Sequence, residues 1–233
     1  YDIRMHGKKK KYSWDYDKSY ELYTKNLLTG RETRLTNTLG YDAECAFSPD
    51  GSKIIFTSNR HLYSENTAVD TQNISVHNEI YLMDYKSRKI ERLTHTAGYD
   101  GGPFFDSTGS NICWRRFTPD GHSAEIYTMS LQERVEKKLT NLGAMSWAPF
   151  FHPSQKYLIF ATNLQGFQNF ELYIVDIQGK KEPVRVTSRE GFDGLPSFSP
   201  DGNTLSWTSN ATPTKKSQIF LAKWDHERAV NLL

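Results

Sequence analysis

Nine residues carry the chemistry this sequence could do: Tyr41, Asp42, Tyr99, Asp100, Arg115, Arg116, Trp147, Phe192 and Asp193. Six of them fall in the triplets Gly40-Tyr41-Asp42, Gly98-Tyr99-Asp100 and Gly191-Phe192-Asp193, and Met145-Ser146-Trp147 is the fourth such segment. Aromatic rings beside a few charged groups suit an extended polypeptide, which needs apolar contact and fixed polar anchors. Arg115 and Arg116 interrupt a run where related segments place Phe56-Thr57, Phe160-Ala161 or Trp207-Thr208. A guanidinium buried there needs an acidic partner, for which Asp100 is a candidate. Each group also has a plainer reading. The aspartates can cap their own turns through backbone N–H groups, an arginine can brace a loop, and the aromatics can pack on one another.

Catalysis lacks its residues. The seven histidines are scattered without metal-ligand spacing, and neither His-Glu-x-x-His nor Gly-x-Ser-x-Gly occurs. Ser199-Pro200-Asp201-Gly202 is only superficially like a sialidase Asp-box, which separates its Asp and Gly by one residue. Lys8-Lys9-Lys10-Lys11 is expected to be a solvated loop. No catalytic residue, metal site or cofactor is assigned, and the chain by itself is expected not to be an enzyme.

The elements that position the nine residues come from a repeat of roughly 46 residues. Glu21-Leu22-Tyr23, Glu79-Ile80-Tyr81, Glu125-Ile126-Tyr127, Glu171-Leu172-Tyr173 and Gln218-Ile219-Phe220 align. The first four lead on to Leu35-Thr36, Leu93-Thr94, Leu139-Thr140 and Val186-Thr187, then to Phe47, Phe105, Phe151 and Phe198. A turn follows each aromatic, complete as Ser48-Pro49-Asp50-Gly51 and Ser199-Pro200-Asp201-Gly202. Proline presets such a turn and glycine supplies positive φ. β-Branched and aromatic runs on either side predict half-buried strands. The fold class is therefore all-β, a β-propeller of four-stranded antiparallel blades stacked face to face, at least five of them visible. The four phenylalanines are expected in the core between blades.

With strands named a to d from the inside outward, strand a ends at Phe47, b covers about 53–59, c 79–85 and d 89–95. The Pro-Asp-Gly turns then join a to b on one face, while the d–a segments, which carry all of the nine residues except Arg115 and Arg116, lie on the other, at the mouth of a central channel. Thr118-Pro119-Asp120-Gly121 falls in a b–c loop that shares the turn chemistry. The b–c insertion at 60–78 is long for this pitch, as functional loops often are. Blade boundaries are expected at about 1–40 (partial), 41–98, 99–145, 146–192 and 193–233, with 229–233 as a last strand d. Residues 1–5 can be read as a worn strand a, which would make a five-bladed ring. Cys45 and Cys113 are expected to be buried free thiols rather than a disulfide.

Composition fits a globular protein of ordinary polarity: 233 residues, 37% hydrophobic, formal net charge +2. Nothing implies nucleic acid, and no apolar run is long enough to insert in a membrane. The chain begins at Tyr1, which is expected of a processed or truncated product.

Several stretches sharpen the pattern: Gly40-Tyr41-Asp42-Ala43-Glu44, Gly98-Tyr99-Asp100-Gly101-Gly102-Pro103-Phe104-Phe105, Trp114-Arg115-Arg116-Phe117, Met145-Ser146-Trp147-Ala148-Pro149-Phe150-Phe151-His152-Pro153 and Glu182-Pro183-Val184-Arg185-Val186-Thr187. Over essentially its whole length the chain resembles the TolB-type propellers, whose repeat is related to the WD repeat. Within that family it is most similar to propellers that precede co-catalytic zinc aminopeptidase domains in some bacterial proteins. The resemblance implies six blades, with 8–20 as the end of a b–c insertion and missing strands before Tyr1, a periplasmic or otherwise extracytoplasmic location, and a non-catalytic module that binds a protein or peptide partner. It also implies an alternative role, as the accessory propeller of a fused hydrolase of zinc aminopeptidase or prolyl-oligopeptidase type. The sequence departs from the family in carrying neither the additional α/β domain of TolB nor a peptidase domain.

Overall fold

The computed structural model describes residues 16–64 and 74–233, and the backbone of 2–6 and 9–13. Strands β1 (Asp2–His6) and β2 (Lys9–Ser13) form a hairpin, and β3 (Tyr23–Lys25) pairs with β4 (Glu32–Arg34). Three sheets of four strands follow, each in chain order. They are β5 (Ala43–Phe47), β6 (Lys53–Ser58), β7 (Glu79–Asp84) and β8 (Ile90–Arg92); then β9 (Asp100–Phe105), β10 (Asn111–Phe117), β11 (Ala124–Ser130) and β12 (Glu136–Lys138); then β13 (Ser146–Phe151), β14 (Tyr157–Thr162), β15 (Glu171–Asp176) and β16 (Val184–Arg185). The last sheet has three strands, β17 (Asp193–Phe198), β18 (Thr204–Ser209) and β19 (Gln218–Lys223). Helices are short: α1 (His61–Ser64) and α2 (His226–Leu232). The chain divides into two compact units, residues 1–103 with 117–122, and residues 104–116 with 123–233.

The Glu-x-Tyr and x-Thr positions repeat because they build one polar staple between strands c and d. Glu79 Oε1 accepts from Arg92 Nη2 at 2.7 Å and its Oε2 accepts from Thr94 Oγ1 at 2.5 Å. Thr94 Oγ1 in turn accepts the Ile80 N–H at 2.9 Å, and Arg92 Nε donates to the Thr94 carbonyl at 2.8 Å. Glu171, Arg185 and Thr187 make the same four bonds, with Thr187 Oγ1 serving Leu172 N. In the β9–β12 sheet the arginine is absent; Glu125 bonds Thr140 and instead accepts from Gly143 N at 2.8 Å. A carboxylate buried on strand c is tolerable in these three sheets because both of its oxygens accept a hydrogen bond.

The a–b turns repeat for a similar reason. Asp50 accepts from Ser48 Oγ (2.6 Å) and Ser52 N (3.0 Å), while Ser48 Oγ accepts the Lys53 N–H at 2.9 Å. These donors hold the Asp50 carboxyl down at about 2. Thr118 and Asp120 form the same turn between β10 and β11, as expected of a b–c loop.

Three expectations need correction. Phe105, Phe151 and Phe198 are buried, but Phe47 is 50% exposed. Phe151 is covered by Cys113, Ile126 and Leu139, residues of the preceding repeat. For Phe47 the preceding repeat has no four-stranded sheet among the described residues, and its ring has Tyr85 beside it and solvent beyond. Cys45, two residues earlier on the same strand face, is exposed for the same reason, whereas Cys113 is buried and burial pushes its thiol up; both are free. Finally, residues 229–233 are not a strand d. Residues 229–232 lie in α2 and Leu233 is its C-cap, while Asp225 caps the other end by accepting from Arg228 N at 3.0 Å. Gln218 stands where the staple glutamate would be and no Arg-x-Thr follows it, so that sheet lacks the residues that hold a fourth strand.

Candidate functional site

The d–a segments are held by a residue that the repeat alignment passed over. An asparagine just beyond strand b turns its Oδ1 to the backbone of the d–a segment. Asn59 accepts Tyr41 N, Asn163 accepts Met145 N, and Asn210 accepts Phe192 N, each at 2.8 Å. The signal is present in sequence as the pairs Ser58-Asn59, Thr162-Asn163 and Ser209-Asn210. Gly40 makes the approach possible, since a Cβ on it would lie 2.7 Å from Arg60 Cα and its φ is +145°. Each innermost strand then bulges: Glu44, Gly102, Ala148 and Leu195 adopt left-handed backbone, with φ of 52°, 58°, 48° and 54°. For the three non-glycine residues this is a strained conformation that the surrounding ladder must enforce. Glu44 also uses its side chain, accepting the Gly102 N–H at 2.8 Å.

On this frame the predicted aromatics pack in local groups. Tyr41 is half-buried and stacked on Tyr20, with ring centroids 5.3 Å apart, and meets the edge of Tyr16 at 4.9 Å. Tyr99 is buried, stacked on Phe117 at 5.6 Å. In the other compact unit, Trp147 stacks on Phe170 at 4.5 Å and Phe192 lies against the same ring at 5.6 Å. Trp147 and Phe192 keep part of their surface exposed. The Phe192 ring folds over its own strand: a Cβ on Gly194 would meet Cζ at 2.5 Å. Mutual packing of the aromatics, one of the plainer readings, is thus present within each unit.

The aspartates are buried, and Asp42 does more than cap its own turn. Its carboxylate accepts from Ser58 Oγ at 2.6 Å and pairs with Arg60, a residue sequence reasoning missed. The Arg60 guanidinium also lies over the Phe56 and Tyr81 rings, 5.2 and 5.7 Å from their centroids. Asp100 is fully buried, and its N–H donates to the Asn78 carbonyl. Asp193 is 4% exposed, and its N–H donates to the Phe170 carbonyl at 2.8 Å. Its carboxylate has no hydrogen-bond or ion-pair partner among the described residues.

Arg115 and Arg116 sit one position further along strand b than the alignment placed them. The stacked ring pairs Phe56–Tyr81, Trp114–Tyr127 and Trp207–Phe220 fix the register, making Trp114 the counterpart of Phe56. Both arginines are buried. Arg116 forms a bidentate pair with Glu136, at 2.6 and 3.1 Å, and lies 4.7 Å from the Tyr127 ring centroid. Glu136 is a second partner that sequence reasoning missed, because a glutamate at the start of a short strand d carries no motif. Among the described residues no group of three or more His, Cys, Asp and Glu is placed to hold a metal, and no helix is long and apolar enough to cross a membrane.

Comparison with known proteins agrees with this geometry. Residues 107–232 match the model of the TolB β-propeller domain, PD40. No curated protein matches the chain in sequence. Among solved structures, TolB from Acinetobacter baumannii is similar, with TM-score 0.68 at 20% identity over 88% of this chain and 47% of that one. An Agrobacterium tumefaciens protein assigned as TolB gives 0.67 at 19% identity, over 87% of this chain and 70% of that one. A puromycin-hydrolysing peptidase from Mycobacterium tuberculosis gives 0.62 at 14% identity, over 97% of this chain and 36% of that one. The chain thus spans about half the length of the Acinetobacter TolB. With the family model matched over more than half of its residues, and with its sheets of staple-linked antiparallel strands, this chain belongs to the TolB β-propeller domain family, PD40.

Proposed function

We propose that the chain is a non-catalytic propeller module that binds a protein or peptide through its d–a segments, in the periplasm or another extracytoplasmic compartment. The observation that carries this is the presentation of Trp147 and Phe192. Both rings are fixed before any ligand arrives, by the Asn163 and Asn210 bonds to their segments and by stacking on Phe170, yet both keep exposed surface. Pre-fixed aromatic surface loses little side-chain entropy on binding, which favours recognition of an extended chain. Tyr41 offers a comparable ring in its own unit, whereas Tyr99 is buried and acts in packing.

A second reading, the accessory propeller of a larger peptidase, is supported by the Mycobacterium tuberculosis peptidase, part of which matches 97% of this chain. Hydrogen exchange of the purified chain, with and without a panel of unstructured peptides, tests the binding reading. Protection confined to 145–147 and 191–194 is the expected result. Protection at the a–b turns, 48–52 and 199–203, would overturn it.

A further inference from the structure

Two d–a segments share one scaffold and differ at a single functional position. In the β5–β8 sheet, Asn59 holds Tyr41 N, Ser58 Oγ accepts Arg60 N at 3.0 Å, and the Phe56–Tyr81 rings stack at 5.7 Å. In the β17–β19 sheet, Asn210 holds Phe192 N, Ser209 Oγ accepts Ala211 N at 3.1 Å, and the Trp207–Phe220 rings stack at 5.6 Å. Asp193 is paired in register with Ser209, as Asp42 stands opposite Ser58. The contrast is Arg60 against Ala211. Arg60 neutralises Asp42 and covers the ring pair; Asp193 keeps its acid and its ring pair but has no arginine. Where the acid itself is lost, at Ser146, a hydroxyl bonds Thr162 at 3.3 Å and no charge remains to satisfy.

Asp193 is 4% exposed and has no counter-charge among the described residues, and the β5–β8 sheet shows which group fits such a position. We propose that Asp193 receives a guanidinium from outside the chain, an arginine side chain of a bound polypeptide, seated against Trp207 and Phe220 as Arg60 is seated against Phe56 and Tyr81. Ala211, which stands where Arg60 stands in the other sheet, lines an open surface pocket of about 470 Å³ together with Arg189, Glu190, Thr212, Pro213 and Lys215. On that wall Arg189 and Lys215 can donate to the carbonyl oxygens of a peptide that carries the arginine, and Glu190 places a carboxylate beside them. The inference rests on the binding-module reading and names the side chain such a partner would present.

The test titrates the folded chain with N-acetyl-Gly-Arg-Gly-amide and with the same peptide carrying citrulline, the neutral isostere, following the Trp207 indole N–H by NMR. Arginine binding stronger than citrulline by about tenfold or more is expected, as for a charged hydrogen-bonded pair, with the difference lost in Asp193→Asn. Ala211→Arg should abolish arginine binding and raise the melting temperature, and should not raise it when Asp193 is already Asn. Equal affinity for the two peptides, no titration at millimolar peptide, or full arginine affinity in Asp193→Asn would each overturn the proposal. The citrulline comparison uses the unaltered protein, so it stands even if a variant misfolds. If a partner's binding is lost in Trp147→Ala and Phe192→Ala but kept in Asp193→Asn, the binding-module reading holds and this inference fails. If arginine peptide binds and those aromatic changes leave partner binding intact, the inference holds and the assignment of binding to the Trp147 and Phe192 rings fails.

Discussion

The outer staples and the d–a segments treat buried charge in opposite ways. At the staples, Glu79 and Glu171 meet the same arginine-and-threonine pair in the same geometry, and the Glu125 carboxylate is filled by Thr140 and Gly143. At the inner end, the corresponding positions diverge: Asp42 is paired with Arg60, Ser146 with Thr162, and Asp193 with no described side chain. The staples at Glu79, Glu125 and Glu171, where both carboxylate oxygens are satisfied, hold their sheets together. Positions that vary on a constant scaffold are where recognition can be written without cost to the fold.

The largest effect should come from the core that the staples frame. Phe151→Ala should lower stability by about 3–5 kcal/mol, since its ring is buried among Cys113, Ile126 and Leu139. Denaturant midpoints measure it, and a change under about 1 kcal/mol would mean the strand register is wrong. Glu171→Leu should cost less, roughly 1.5–3 kcal/mol, because it strands Thr187 while Arg185, a third exposed, can return to water. Phe47→Ala should cost under about 1 kcal/mol, its ring being half exposed. If Phe47 and Phe151 behave alike, the contrast between covered and uncovered repeats fails.

A smaller effect follows pH. Burial holds the His152 imidazole below its usual range, and burial, then Arg92, His77 and His95, pushes His61 down to about 4. Both stay neutral in the folded protein where the unfolded chain takes a proton. Stability should therefore be intact above the ordinary histidine value of about 6.5 and be lost as pH falls below it. His152 also bonds the Gly202 carbonyl and stacks on His226 at 4.6 Å, so a His152→Gln variant should show a shallower loss between pH 7.5 and 5.5. An unchanged slope would remove His152 from the account.

The fold was legible because its repeated residues do repeated work. Glu-x-Tyr and x-Thr are the staple, and Ser-Pro-Asp-Gly is a turn whose own side chains satisfy its backbone. Reading failed where a motif was degraded. The last sheet keeps Ile219-Phe220 but lacks the staple, and a capped helix replaces its fourth strand. The d–a triplets were visible as Gly-aromatic-Asp, but their partners were not. Arg60 and the asparagines at 59, 163 and 210 act from just beyond strand b across long sequence separations, and Arg60 opens the 60–78 insertion, outside any motif.

The central claim, that the d–a segments bind and the a–b turns do not, is tested most directly by one comparison of affinities. Partner binding to the unaltered chain should be set beside Trp147→Ala, Phe192→Ala, Asp50→Ala and Asp201→Ala, with melting temperatures recorded for all. The account predicts that the two aromatic changes weaken binding by about tenfold or more, as for interface anchors, while the two turn changes leave it intact. Binding abolished by Asp50→Ala or Asp201→Ala, and untouched by Trp147→Ala and Phe192→Ala, would contradict it.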